Sequence, residues 1–149
     1  MAVKRDNPYG AFNFIVEFGT SAQGGPIEAG FSKVEGLTTG ISYAAYRNGN
    51  DKSNAPRKLA VRRWAGDVVL RRGLTGSTDL FEWIRSVFDG IFDPRTVTVT
   101  LLDEARNAVA SWVLKNAQPS RWSGPQLNAE SDLVAMEELV LVCDGITYE

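Results

Sequence analysis

Thr96-Val97-Thr98-Val99-Thr100-Leu101 alternates threonine with apolar residues over six positions. Successive side chains of a strand point to opposite faces, so the stretch has one polar and one apolar face, as in a half-buried antiparallel strand. Working outward, Asp103-Glu104-Ala105-Arg106-Asn107 supplies hairpin-loop residues, and 108–117 returns as the partner strand. Pro119 and Gly124-Pro125 then bracket a short strand around Arg121-Trp122. Residues 133–143 close the chain as a long apolar strand, with a bulge expected at Glu137-Glu138. On the N-terminal side, Leu80, Phe81, Ile84, Val87 and Phe88 recur at helical spacing. Asp79 is the expected N-cap with Glu82 three residues on, and Asp89-Gly90 is the stop. Further strands are expected over 12–18, 28–35, 41–47 and 67–72, with a loop at 21–26. Seven or eight strands and one helix in 149 residues make a mainly β chain. The expected form is an antiparallel β-barrel or sandwich with one flanking helix, packed as a single domain over 1–149.

Charge is unevenly placed. Residues 47–72 carry Arg47, Lys52, Arg57, Lys58, Arg62, Arg63, Arg71 and Arg72 against Asp51 and Asp67, a local net charge of +6. Residues 48–66 read as an extended arm between two strands. Connections beyond ~12–15 residues without structure of their own are uncommon in compact domains, so a partner is expected to shape this one. Residues 130–149 carry Glu130, Asp132, Glu137, Glu138, Asp144 and Glu149 with no base, a local net of −6. A basic arm and an acidic end in one chain point to head-to-tail self-association. Nucleic-acid binding fits less well, because it goes with a basic balance over the whole domain. The candidate interface residues are Tyr46, Arg47, Asn50, Arg57, Lys58, Arg62, Arg63 and Trp64, meeting Glu130, Asp132, Glu137 and Glu138 of another copy. Trp64 is an aromatic anchor within the arm, and Trp and Arg are enriched at interface hot spots.

The chain contains no histidine, which removes Ser-His-Asp triads, His-ligated metals and the commonest general base. The single Cys143 excludes an intramolecular disulfide and reads as a small buried hydrophobe. Glu137 and Glu138 point to opposite faces of one strand and cannot flank a single bond, so one solvated and one paired acid is expected. Gly36-Leu37-Thr38-Thr39-Gly40 lacks the lysine and spacing of a phosphate loop, and its glycines mark turns. Trp83 and Trp112 read as core. No catalytic, cofactor-binding or metal-binding residue is assigned, and the chain is not expected to be an enzyme. No apolar run approaches the ~18–20 residues of a membrane span. The polar residues 1–8 lack the apolar stretch of a signal peptide. The expectation is therefore no direct membrane insertion, and a chain that stays in the cytoplasm until assembled or released.

Several phrases, taken in order, resemble one family. They are Arg5-Asp6-Asn7-Pro8-Tyr9, Gly30-Phe31-Ser32-Lys33-Val34-Glu35-Gly36-Leu37, and Tyr46-Arg47-Asn48-Gly49-Asn50. Val69-Leu70-Arg71-Arg72-Gly73-Leu74 and Leu80-Phe81-Glu82-Trp83 follow, then Asn116-Ala117-Gln118-Pro119-Ser120-Arg121-Trp122-Ser123-Gly124-Pro125 and Ala135-Met136-Glu137-Glu138-Leu139. Together they are similar to the tail-tube proteins of contractile phages, and more closely to the inner-tube proteins of phage-tail-like contractile injection systems. Two positions depart from the family pattern: Gln118, where an aromatic is common, and Lys58-Leu59-Ala60-Val61, where Pro-Gly often follows Lys-Leu. The resemblance implies a barrel with a flanking helix, like the haemolysin-coregulated protein of type VI secretion. It implies a homo-hexameric ring stacking into a hollow tube that conducts a cargo effector or DNA. The implied partners are a surrounding sheath protein and baseplate and cap proteins. The alternatives are a tube-initiating, baseplate-proximal paralogue and a ring-forming chaperone that carries effectors.

Overall fold

The computed structural model describes residues 2–19 and 30–149. The loop expected at 21–26 and the first two residues of the strand expected over 28–35 lie outside the described residues. Among those described, the elements are β1 Phe14–Phe18, β2 Lys33–Glu35, β3 Thr39–Tyr46, β4 Arg57–Ala65, β5 Val68–Gly73, α1 Asp79–Phe88, β6 Arg95–Leu102, β7 Ala108–Ser123, β8 Met136–Val142 and β9 Gly145–Tyr148. The main sheet runs β1-β6-β7-β8-β5-β2 with β9 also on β7, and β3 and β4 form a separate two-stranded ribbon. Every pairing is antiparallel.

The alternating stretch is the centre of β6. Val97 and Val99 are buried, Val16 of β1 lies opposite Val99 on one side, and Trp112 of β7 lies opposite it on the other. The β6–β7 turn falls at the expected 103–107. Asp103 holds it by accepting the Asn107 amide at 2.8 Å, while Arg106 takes a φ of 67°. Leu70, Leu80, Leu114, Leu139, Leu141, Val68 and Val97 are fully buried and form one core with Trp83. Each such side chain contributes ~1.5–3 kcal/mol by leaving water. Helix α1 closes this core through Leu80 and Trp83, and Ile84 is buried beside them on the helix. The Trp83 ring meets Phe18 edge-on at 5.9 Å, and its Nε1 donates to the Asp93 carbonyl at 3.0 Å.

Seven expectations need correction. Asp79 is the first helical residue and not the cap; Thr78 holds the cap position without a side-chain bond, and the Asp79 carboxylate is engaged by Arg72 and by the Leu80 amide. Phe88 is 72% exposed, so the helix buries the 80/83/84 stripe and leaves its last aromatic outside. Strand β7 does not break at Pro119. It continues to Ser123, absorbing the missing N–H at a register shift between Pro119 and Arg121, where a proline is tolerated. That irregularity replaces the one expected at Glu137-Glu138.

The last strand ends at Val142, and a further strand, β9, continues along the same edge of β7 in the same register. Gln118 lies opposite Val142 and Lys115 opposite Gly145. Finally, residues 57–65, expected as unstructured arm, are strand β4. No pairing joins β1 to β2 among the described residues, so the sheet is open and the expected barrel is not closed. No helix among those residues is long and apolar enough to cross a membrane.

Candidate self-assembly surface

The β3–β4 ribbon grows from the β2–β5 edge of the main sheet. At its root the Gly66 amide donates to the Thr38 carbonyl at 2.8 Å. Gly36 takes φ +89°, and a Cβ there would sit 2.1 Å from the Asp67 carbonyl oxygen, so only glycine fits this crossing. Leu59 and Val61 supply β-forming apolar residues between the cations, and the pairing runs from Thr39 opposite Ala65 to Tyr46 opposite Arg57. Val61 is the extra residue at a bulge, because Tyr43 pairs with Ala60 and Ser42 with Arg62.

The connecting loop is held by its own residues. Arg47 donates to the carbonyls of Ser53 (2.7 Å) and Asp51 (2.8 Å), and Asp51 accepts the Asn48 amide at 2.9 Å. Tyr46 hydrogen-bonds Asn48, and the Arg57 guanidinium lies over the Tyr46 ring.

Eight of the twelve candidate residues therefore share this one projection: Tyr46, Arg47, Asn50, Arg57, Lys58, Arg62, Arg63 and Trp64. Lys58, Arg62 and Arg63 form no ion pair among the described residues. Trp64 packs over Gly40 yet stays 44% exposed. The sequence reading missed the apolar members of the ribbon. Ile41 (52%), Tyr43 (59%), Leu59 (48%) and Val61 (67%) are all largely exposed. The alternation that could have revealed Leu59 and Val61 was broken by the paired cations around them.

The four acidic candidates divide. Glu130 and Asp132 lie on an exposed connection between β7 and β8 beside the exposed Leu127, Leu133 and Val134, and neither forms an ion pair among the described residues. Glu137 is 2% exposed and belongs to the subunit interior. It accepts from Arg72 and, at 3.1 Å, from Trp122 Nε1, while Arg72 also holds Asp79. Burial pushes the Asp79 carboxyl up, but the Arg72 hydrogen bond and charge outweigh this and leave it below the ordinary carboxylate range. Glu138 accepts from Arg71 at 2.7 Å and Arg121 at 3.2 Å, and the Arg71 bond holds its carboxyl low. Both acids of the expected solvated-and-paired couple are thus paired. Cys143 is half-buried, and burial raises its thiol, as suits a packing residue.

The family model for the T4-like virus tail tube protein gp19 matches residues 10–147. No curated protein sequence matches the chain. Among solved structures, a chain of the extracellular contractile injection system PVC sheath-tube complex in its extended state is 26% identical. The match covers 95% of this chain and 91% of that one, with a TM-score of 0.81. A chain of the anti-feeding prophage baseplate is 24% identical over 97% of each, with a TM-score of 0.84, and shares the fold. Hcp1 from Flavobacterium johnsoniae is more distant, at 18% identity over 91% of this chain and 93% of that one, with a TM-score of 0.52.

Proposed function

The chain belongs to the T4-like virus tail tube protein gp19 family and is a structural tube subunit of a phage tail or phage-tail-like particle, and we propose that six copies close into a ring and that rings stack into a hollow tube. One observation carries this reading. The β3–β4 ribbon holds exposed apolar side chains and unpaired cations that its own subunit does not cover. An isolated two-stranded hairpin is marginal in water, so a projection of this kind is built to be covered. A head-to-tail contact between copies generates closed rings or open stacks, the two symmetries a tube requires.

Ring closure also answers the open sheet. Each copy is a single barrel-like domain whose unpaired edges meet those of its neighbours, which removes the edges that would otherwise aggregate. Stacking is assigned to the ribbon, with Tyr46, Arg47, Asn50, Arg57, Lys58, Arg62, Arg63 and Trp64 reaching the next ring, where Glu130 and Asp132 are the acids left available. The lumen conducts a cargo effector or DNA, a sheath surrounds the tube, and baseplate and cap proteins bound it. The occurrence of similar chains in baseplate, cap and sheath-tube assemblies supports the sheath, baseplate and cap partners. It also supports a second reading, a tube-initiating copy next to the baseplate. The subunit carries no catalytic role, and assembly takes place in the bacterial cytoplasm.

Electron microscopy of the purified protein tests the proposal. Hollow six-fold rings or tubes are expected. Persistent monomers at high concentration would overturn it, and isolated rings that never elongate would favour the initiating copy.

A further inference from the structure

Both faces of the β3–β4 ribbon are apolar and basic. The pairing register sorts the side chains once the extra residue Val61 is set aside. Tyr46, Arg57, Leu59, Arg62 and Trp64 share one face with Ala44, Ser42 and Gly40. Tyr43, Ile41, Lys58 and Arg63 share the other with Ala45, Ala60, Thr39 and Ala65. Two observations check this parity on the first face: the Arg57 guanidinium lies 5.4 Å from the Tyr46 ring centroid, and Trp64 lies over Gly40. An antiparallel ribbon that packs on one side and meets water on the other alternates apolar with polar. Here neither face is the polar one. Tyr46, Leu59 and Trp64 are 44–48% exposed on one side, and Ile41 and Tyr43 are 52–59% exposed on the other.

We infer that the ribbon is a two-sided insert, held between two further copies of the chain, each covering one face. This rests on the tube reading and deepens it, because an arm laid on a single neighbour would leave half of its apolar surface wet. The subunit presents two separate surfaces suited to the task. One is the connection between β7 and β8, where Leu127, Leu133 and Val134 are 77–84% exposed beside Glu130 and Asp132. The other is the end of α1, where Phe88 and Phe92 are 72–74% exposed beside the exposed Asp89. Each combines bare apolar side chains with carboxylates that form no ion pair among the described residues. Each ribbon face combines bare apolar side chains with cations. The charge match favours copies of this chain as the covers on both sides.

Single cysteines read the two faces independently. In a Cys143→Ser background, Ser42→Cys reports the first face and Ala60→Cys the second, both near-isosteric and sparing the aromatic anchors. Maleimide labelling is compared between dissociated subunits and assembled tubes. The expected result is at least tenfold slower labelling in tubes at both positions. Labelling of either position in tubes at the rate seen in dissociated subunits would overturn the two-sided insert while leaving the tube intact. Carbodiimide coupling in tubes mixed from ¹⁴N and ¹⁵N protein supplies the copy test, reading Lys58 on the second face. It is expected to give links from Lys58 to Glu130, Asp132 or Asp89 between isotopically different chains; links confined to one chain would overturn the assignment of the cover to another copy. Absence of tubes from the wild-type protein would instead overturn the tube reading, and this inference with it.

Discussion

Arg72 is the residue on which the subunit interior turns. It is 4% exposed, engages Asp79 at the start of α1 and Glu137 on β8, and lies over the Phe31 ring. Removing one member of a buried ionic cluster leaves its partners charged in a poor solvent. Arg72→Met is therefore expected to destabilise by ~3–5 kcal/mol, read as a lowered midpoint in urea unfolding. Arg121→Ala, on the exposed side of Glu138, should move the same midpoint by no more than ~0.5 kcal/mol. Gly36→Ala belongs to a different class. The residue sits at φ +89° with the Asp67 carbonyl in the space a Cβ needs, so a loss of at least ~1–3 kcal/mol is expected. At the chain's start, Arg5 donates to Glu104 at 2.9 and 3.0 Å and lies 3.9 Å from the Tyr9 ring centroid. The Arg5 hydrogen bond pulls the Glu104 carboxyl from 4.5 to about 2. A carboxylate lowered on folding supports its tether fully above its ordinary value, and the support is lost as pH falls through the folded one. Residues 2–13 should thus become more protease-sensitive progressively as pH falls from 4.5 towards about 2. Glu104→Gln should raise their cleavage rate modestly already at neutral pH, since an exposed pair contributes little.

At the scale of elements, the ribbon and the core are separable. No residue of β3 or β4 belongs to the buried core, which is drawn from β1, β5, α1, β6, β7 and β8. Replacing residues 42–62 by a short Gly-Asn turn is therefore expected to leave the circular-dichroism spectrum of the main sheet and its cooperative unfolding in place, while abolishing ring stacking in electron micrographs. Loss of folding would show that the ribbon is part of the core after all. The same division explains what could be read from the chain. β6, the 103–107 turn and α1 were legible because their periodicity is local: a period of two, a turn-forming cluster, and apolar residues three and four apart. β4 was not, since Arg57-Lys58 and Arg62-Arg63 mask the alternation of Leu59 and Val61, and the strand exists by pairing with β3. Strand β9 was hidden for a related reason. Its four residues form a strand because the edge of β7 beyond β8 is free to take them. The candidate site was half legible. Charge singled out cations that the structure gathers on one ribbon, but could not tell Glu137, buried against Arg72, from Glu130, which is exposed.

For the whole molecule, the net charge of −2 conceals a local +6 over residues 47–72 and a local −6 over residues 130–149. After internal pairing has claimed Glu137 and Glu138, the ribbon cations Lys58, Arg62 and Arg63 and the carboxylates Glu130 and Asp132 of the β7–β8 connection are among the charges left without an ion pair in the described residues. An exposed pair contributes only ~0–1 kcal/mol, yet a six-fold ring would repeat each pair six times. Screening shortens from ~10 Å at 0.1 M salt to ~3 Å at 1 M. Wild-type tubes should accordingly need a higher protein concentration to form as salt rises, by about tenfold for each ~1.4 kcal/mol lost per subunit. The apolar anchors Leu59, Val61 and Trp64 are insensitive to screening, so assembly should weaken without vanishing. Arg62→Glu with Arg63→Glu should raise the critical concentration further and reverse the trend, since added salt then relieves repulsion from Glu130, Asp132 and Asp89. Adding Glu130→Lys, Asp132→Lys and Asp89→Lys to that double variant should restore the low-salt optimum. Sedimentation of tubes across a salt series decides the matter. If the double variant sediments like wild type at every salt concentration, stacking does not depend on these charges and the contact rests on the apolar side chains alone.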